Sequence, residues 1–157
     1  MAANKPVNNT DNAAKVYTDG GCWGNPGPGG WACIVRVPGR EIVASGGSSP
    51  TTNNRMELTA VIEGIRAAKE AGVETADIST DSRYVQQGIT AWIHTWKKNG
   101  WRTANRQPVK NQDLWIALDS ETEGVSIRWA WVAGHAGHEE NERCHDLVQK
   151  EIAKLSR

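Results

Sequence analysis

Residues 15–45 read KVYTDGGCWGNPGPGGWACIVRVPGREIVAS. Lys15 to Asp19 begins a β-strand, and Gly20 and Gly21 follow it. Gly24 to Gly30 is so rich in Gly and Pro that it reads as a turn. Trp31 to Val37 reads as a second strand and Glu41 to Ser45 as a third, joined by Pro38-Gly39. Three strands with short links predict an antiparallel meander.

Downstream the period changes. Thr51, Thr52, Asn53 and Asn54 offer helix N-caps, and Leu58, Val61, Ile62, Ile65 and Ala68 recur at helical spacing until Gly72. Ala76 to Thr80 is a short strand, followed by a helical stretch to Gly88 and a short helix from Trp92 to Lys98. Asn99 to Lys110 reads as a basic loop, Asp113 to Glu121 as a helix, and Val125 to Val132 as a strand. A Gly-rich loop from Ala133 to His138 leads into a last helix, Glu139 to Leu155. This order predicts an α/β fold, with a five-stranded mixed sheet covered by helices. The 157 residues suit one domain over 15–157, preceded by a flexible tail over 1–14.

Composition excludes several classes. Hydrophobic residues make up 38% and charged residues 23%, and no apolar run approaches the roughly 18 residues of a membrane span. Met1 to Lys15 has no apolar stretch, so a secretory signal is not expected. Three widely spaced cysteines, Cys22, Cys33 and Cys144, suit a reducing cytoplasm and no disulfide scaffold. No feature calls for an obligate protein partner, and a monomer is expected.

Eighteen basic residues balance eighteen acidic ones, yet the distribution is uneven. Between Asp81 and Asp113 there is no acid, and Arg83, Lys97, Lys98, Arg102, Arg106 and Lys110 are concentrated there. Trp92, Trp96 and Trp101 interleave with them. Such a patch is a footprint for a polyanion, with aromatic rings available for sugars or bases. Trp92 and Trp96, four residues apart, also have the spacing to pack on each other. Trp23, Trp31, Trp115, Trp129 and Trp131 are expected in the core or half-buried in the sheet.

Three acids occupy positions that acids avoid. Asp19 ends the first strand, Asp81 ends the fourth, and Glu57 lies at the edge of the first helix's apolar stripe. Each taken singly reads more readily as a cap or an edge carboxylate, and Asp81 before Ser82 is a plausible helix start. Together they converge from three elements, and converging carboxylates repel unless a cation holds them. An oxygen-only set suits Mg²⁺ or Mn²⁺, and two such ions catalyse phosphodiester chemistry.

These residues lie in longer motifs: Tyr17-Thr18-Asp19-Gly20-Gly21-Cys22, Gly24 through Gly30, Thr51-Thr52-Asn53-Asn54-Arg55-Met56-Glu57-Leu58, Thr80-Asp81-Ser82, Gly134-His135-Ala136-Gly137-His138 and Asn141-Glu142-Arg143-Cys144. Over residues 15 to 155 the chain resembles the bacterial type 1 ribonuclease H family. The resemblance implies a ribonuclease H-like sheet, with the meander joined by two parallel strands, and a basic handle at about 90–110. It implies an endonuclease that hydrolyses the RNA strand of an RNA/DNA hybrid, leaving 5′-phosphate and 3′-hydroxyl ends. Asp19, Glu57 and Asp81 would hold two divalent ions, Mg²⁺ or Mn²⁺. His135 would assist proton movement or product departure. Cys22, Asn25, Asn53 and Asn54 would line the hybrid's minor groove, Thr52 would join a pocket for a DNA phosphate, and Asn141 would support the site. Arg83, Trp92, Trp96, Lys97, Lys98, Trp101 and Arg102 would meet substrate from the handle side. Asn side chains both donate and accept, as a 2′-hydroxyl requires.

The sequence departs from the family pattern at one informative place. A fourth carboxylate is expected just after Cys144, where this chain has His145 followed by Asp146. On a helical wheel Cys144, Leu147, Val148, Ile152 and Leu155 form the apolar stripe. His145 then lies toward the site's edge and Asp146 toward water, which favours His145, with Asp146 as its rival. An imidazole in that place can ligate a metal or hold a water, so His145 is expected to join Asp19, Glu57 and Asp81 at the metal site; it also removes a negative charge, predicting weaker Mg²⁺ binding and a relative preference for Mn²⁺. Two other functions compete: a hybrid-binding module whose catalysis the His145 change has impaired, and a DNA strand-transfer nuclease, which the handle and Asn-rich set disfavour. A zinc site from His135, His138, Cys144 and His145 matches no common ligand spacing. Ala133, where the family often carries Lys, is a minor departure.

Overall fold

The computed structural model describes residues 12–132 and 139–155. Strands β1 (Ala14–Cys22), β2 (Gly27–Val37) and β3 (Arg40–Thr51) form the meander. Helix α1 (Asn53–Glu70) crosses to β4 (Thr75–Thr80), and α2 (Arg83–Gln87), a π-helical turn (Gly88–Trp92), α3 (Ile93–Lys98) and α4 (Gln112–Glu121) follow. Strand β5 (Ser126–Trp131) and helix α5 (Glu139–Leu155) complete the described chain. The sheet order is β3-β2-β1-β4-β5. β1 and β3 pair antiparallel with β2, whereas β1/β4 and β4/β5 are parallel. Parallel neighbours need a crossover, and α1 supplies it between β1 and β4.

Helix α1 starts because Thr52 is extended and its Oγ1 accepts the Arg55 N–H at 3.2 Å. Its apolar stripe, with Leu58, Val61, Ile62 and Ile65, packs into the main core beside Val16, Val35, Ile78 and Trp115. A smaller core lies under α5, where Cys144, Val148 and Ile152 meet Ala32 and Ile34. Strand β2 is thus covered on both faces, Ala32 and Ile34 toward α5 and Cys33 and Val35 toward the main core.

The meander is longer than the local sequence pattern predicts. β2 begins at Gly27, not Trp31, and β3 continues to Thr51, with Gly27 opposite Thr51 and Gly30 opposite Gly47. Helix α5 lies on Gly30 and Gly47: a Cβ on Gly30 would stand 2.9 Å from the Val148 carbonyl oxygen. At the other end, Ala13 and Ala14, assigned to the tail from sequence, are buried, and Ala14 pairs with Ala76 in the sheet. Trp115 is fully buried, and Trp31, Trp129 and Trp131 are half-buried. Trp23 departs from expectation: it sits in the β1–β2 turn, outside the sheet, and is 46% exposed. Among the described residues no helix is long and apolar enough to cross a membrane.

Candidate active site

Three neighbouring strand and helix ends deliver the acids. Asp19 lies near the end of β1 opposite Ala32, and Asp81 directly follows β4, which runs parallel to β1. Glu57 comes from the first turns of α1, and Gly20 is what lets it arrive. A Cβ on Gly20 would stand 2.4 Å from the Met56 carbonyl carbon and 2.5 Å from the Glu57 nitrogen. Only a glycine admits so close an approach of helix to strand.

The carboxylate atoms that Asp19, Glu57 and Asp81 can offer lie within 4.8 Å of one another. Asp19 and Glu57 are buried, and Asp81 is half-buried. Burial pushes the Glu57 carboxyl well above its ordinary range, and the negative charges of Asp19 and Asp81 add to the effect. The Gly20 backbone hydrogen bond opposes the shift without cancelling it. Glu57 Oε1 is buried without a hydrogen-bond partner among the described residues. An all-oxygen cluster with one such Glu57 oxygen fits a hard divalent cation, which would supply that oxygen's missing partner and offset the repulsion.

His145 stands on α5 with Nδ1 3.5 Å from Asp19 Oδ2. Asp146 is exposed. Asn141, one turn before His145, is buried, and its Oδ1 also has no hydrogen-bond partner among the described residues. His135, His138 and Ala133 lie outside the described residues.

A cavity of about 330 Å³ joins this acid cluster to the minor-groove candidates, being lined by Asp19, Glu57, Asp81, His145, Cys22 and Asn53 among others. The Asn53 backbone N–H donates to Asn25 Oδ1 at 3.1 Å. The Cys22 thiol lies 3.3 Å from the Thr51 carbonyl oxygen and 3.4 Å from that of Gly27. Burial raises that thiol's pKa, so Cys22 is a packed thiol and not an activated nucleophile. Thr52 serves as the α1 cap, and Asn54 is half-buried on the first turn.

The basic segment is more structured than a loop. Arg102 bridges Pro108, the Val109 N–H donates to the Trp101 carbonyl at 3.0 Å, and Val109 is buried. Trp92 and Trp96 pack at 5.6 Å between ring centroids, and Trp96 continues onto Trp115 at 5.3 Å. These rings tie the handle to the body, and Trp101 also packs against the main core. Lys97 is ion-paired with Asp119 at 3.2 Å, whereas Arg83, Lys98 and Arg102 are exposed.

Sequence reasoning passed over three site neighbours. Arg55 grips Asp113 with two hydrogen bonds at 2.7 and 3.0 Å, clamping the start of α1 to α4. Trp23 and Gln149 line the same cavity as the acids. Gln149 was findable, since it stands four residues after His145 on one helix face. Trp23 carried no such signal.

Comparison with known proteins agrees with this geometry. The RNase H family model matches residues 11–153. A Ribonuclease H of Escherichia coli O9:H4 is 56% identical over 135 residues, covering 86% of each chain. A Ribonuclease H of Nitrobacter hamburgensis is 54% identical over 138 residues, covering 88% of this chain and 90% of that one. The crystal structure of LC9-RNase H1, a type 1 RNase H with the type 2 active-site motif, superposes with a TM-score of 0.79 at 32% identity, covering 97% of this chain and 75% of that one. With the sheet order, the acid cluster and these relatives in agreement, the chain belongs to the ribonuclease H family.

Proposed function

We propose that this protein hydrolyses the RNA strand of RNA/DNA hybrids by a two-metal-ion mechanism, leaving 5′-phosphate and 3′-hydroxyl ends. The observation that carries the reading is the clustering of carboxylate oxygens of Asp19, Glu57 and Asp81 within 4.8 Å, with a buried Glu57 oxygen that has no hydrogen-bond partner among the described residues. The three carboxylates would hold two divalent ions, Mg²⁺ or Mn²⁺, which when bound lower the pKa of water and neutralise charge on a phosphodiester.

The chain's own groups supply the rest. The shared cavity puts Cys22 and Asn53 beside the acids, so that the cut strand meets minor-groove contacts and carboxylates together. Asn25, Asn53 and Asn54 select for 2′-hydroxyls, and Thr52 with the α1 N-terminus receives a phosphate of the DNA strand. Arg83, Lys98 and Arg102, with Lys97 and the handle tryptophans Trp92, Trp96 and Trp101, hold the duplex without reading sequence. His135 moves a proton at the leaving oxygen or assists product departure, and Asn141 steadies the site. The protein acts as a cytoplasmic monomer.

The His145–Asp19 contact supports a second reading, a hybrid-binding module with impaired catalysis. One assay separates them: incubation with a hybrid labelled on its RNA strand, beside single-stranded RNA and duplex DNA. Cutting of the hybrid alone supports the nuclease. Retention of the hybrid without cutting supports the binder.

A further inference from the structure

Trp23 heads the group of exposed large apolar residues, at 46%. Its exposure is not looseness. Its backbone N–H donates to the Pro28 carbonyl at 2.8 Å, and its indole Nε1–H donates to Gln149 Oε1 at 2.9 Å on α5, 126 residues away. The neighbouring turn residue Asn25 is bonded to Asn53, and Cys22 lies against Thr51. The residue is therefore held at its backbone and at its indole N–H while the rest of the ring stays exposed. An exposed, immobilised indole is the kind of surface that recognition sites use, since its apolar area is offered with little entropy left to lose.

Its place says what it meets. Trp23, Gln149 and Val148 line the same 330 Å³ cavity as Asp19, Glu57, Asp81 and His145. A phosphodiester drawn to cations that those carboxylates would hold brings its own sugar and base to that space. The ring's polar edge is already engaged by Gln149, which leaves its faces and apolar edge for a ribose or a base. The cut strand is the one whose phosphate the carboxylates must reach, so the contact falls on the RNA. We propose that Trp23 packs against the sugar–base unit of the RNA nucleotide adjoining the scissile phosphate, with Gln149 as the positioning residue that holds the ring. This inference rests on the hybrid-nuclease reading above.

The test uses the full chain and a hybrid labelled on its RNA strand. The kcat and KM are measured with Mg²⁺, and the hybrid dissociation constant in chelator, for wild type, Trp23→Ala, Trp23→Phe and Gln149→Leu. Alanine in place of an aromatic ring stacked on a base weakens binding at least about fivefold. Trp23→Ala should therefore raise both KM and the dissociation constant at least about fivefold. Trp23→Phe keeps an apolar ring but loses the indole N–H, and Gln149→Leu keeps the ring but loses its partner, so both should fall between wild type and Trp23→Ala. Unchanged kcat at saturating hybrid and an unchanged thermal midpoint separate a substrate contact from a folding role. Trp23→Ala within twofold of wild type in both constants overturns the inference, as does Trp23→Phe as weak as Trp23→Ala. Should Trp23→Ala not fold, a twofold or greater rise in KM for Gln149→Leu supports the inference, and no rise overturns it. A wild type that neither cuts nor holds the hybrid overturns the nuclease reading itself, whereas a normal wild type beside an indifferent Trp23→Ala overturns the Trp23 contact alone.

Discussion

The Nδ1 atom of His145 lies 3.5 Å from Oδ2 of Asp19. An imidazole thus stands beside the acid cluster at the place where the family resemblance implies a fourth carboxylate. Replacing it by a carboxylate adds one negative charge to a site whose ligand charge sets its cation affinity. His145→Asp is expected to lower the Mg²⁺ concentration for half-maximal cleavage by about tenfold. The Mn²⁺ curve should move less, since Mn²⁺ accepts nitrogen more readily. Superimposable activation curves for the two proteins in both metals would contradict this.

Glu57 is buried near the start of α1, where its charge is destabilising. Burial, and then Asp19 and Asp81, disfavour the ionised carboxylate. Glu57→Gln keeps the shape and removes the charge. In chelator the variant should melt a few degrees above wild type, the shift that roughly 1 kcal/mol produces in a domain of this size. Its hybrid cleavage should fall at least about 100-fold. A variant that melts below wild type in chelator would show that repulsion in the cluster is not the dominant effect.

Gly20 sets the distance between β1 and α1. A methyl group there would meet backbone atoms of Met56 and Glu57 at 2.4–2.5 Å. Gly20→Ala should cost about 1–3 kcal/mol of stability by overpacking. It should also reduce cleavage out of proportion to folding, by about 100-fold, because it displaces a carboxylate from the cluster. Denaturant melts and kcat measured on the folded fraction check both parts.

The handle's cations should act on binding and not on chemistry. The double substitution Lys98→Gln, Arg102→Gln is expected to raise KM several-fold at moderate salt with kcat unchanged. The slope of log KM against log salt should fall by about one to two, one for each phosphate that the variant no longer neutralises. An unchanged slope would take these residues out of the substrate surface.

Glu41 links the β2–β3 hairpin to α5, accepting hydrogen bonds from Arg36 Nε at 2.9 Å and from Arg143 at 2.9 and 3.1 Å. The Arg143 and Arg36 guanidinium groups hold its carboxyl down to about 2, from an ordinary 4.5. A depressed carboxyl contributes stability that is fully present above the unfolded value and lost as pH falls through the folded one. The difference in thermal midpoint between wild type and Glu41→Gln should therefore be constant above about pH 5. It should close between 4.5 and about 2. A difference independent of pH would contradict the assignment.

Much of this architecture is legible in the sequence, for reasons that are local. Periods of 3.6 and 2 mark α1, α5, β1 and β5, and the alternating burial of β5 from Ser126 to Trp131 is the pattern that strand residues impose. The wheel of α5 orders His145 and Asp146 relative to the buried stripe without any tertiary information. What stays hidden depends on other elements. Gly27 to Gly30 reads as a turn until its close neighbours are known, Trp23 against Gly27, Thr51 and Met56 against Gly29, and α5 against Gly30. Trp92 and Trp96 read equally well as substrate contacts or as packing, and the position of Trp115 in α4 is what brings them into one cluster. Trp23 reads as a core residue because tryptophan usually is one, and only the turn's place outside the sheet exposes it.

The most direct test of the central claim is single-turnover cleavage of an RNA-labelled hybrid by wild type and Asp19→Asn, in chelator and across titrations of Mg²⁺ and Mn²⁺. The account predicts that wild type is silent in chelator and cuts the RNA strand once either ion is added. Asp19→Asn should bind the hybrid yet stay at least about 100-fold slower in both metals. Cutting that survives chelation, or a wild type that holds the hybrid and cuts in neither metal, would contradict it.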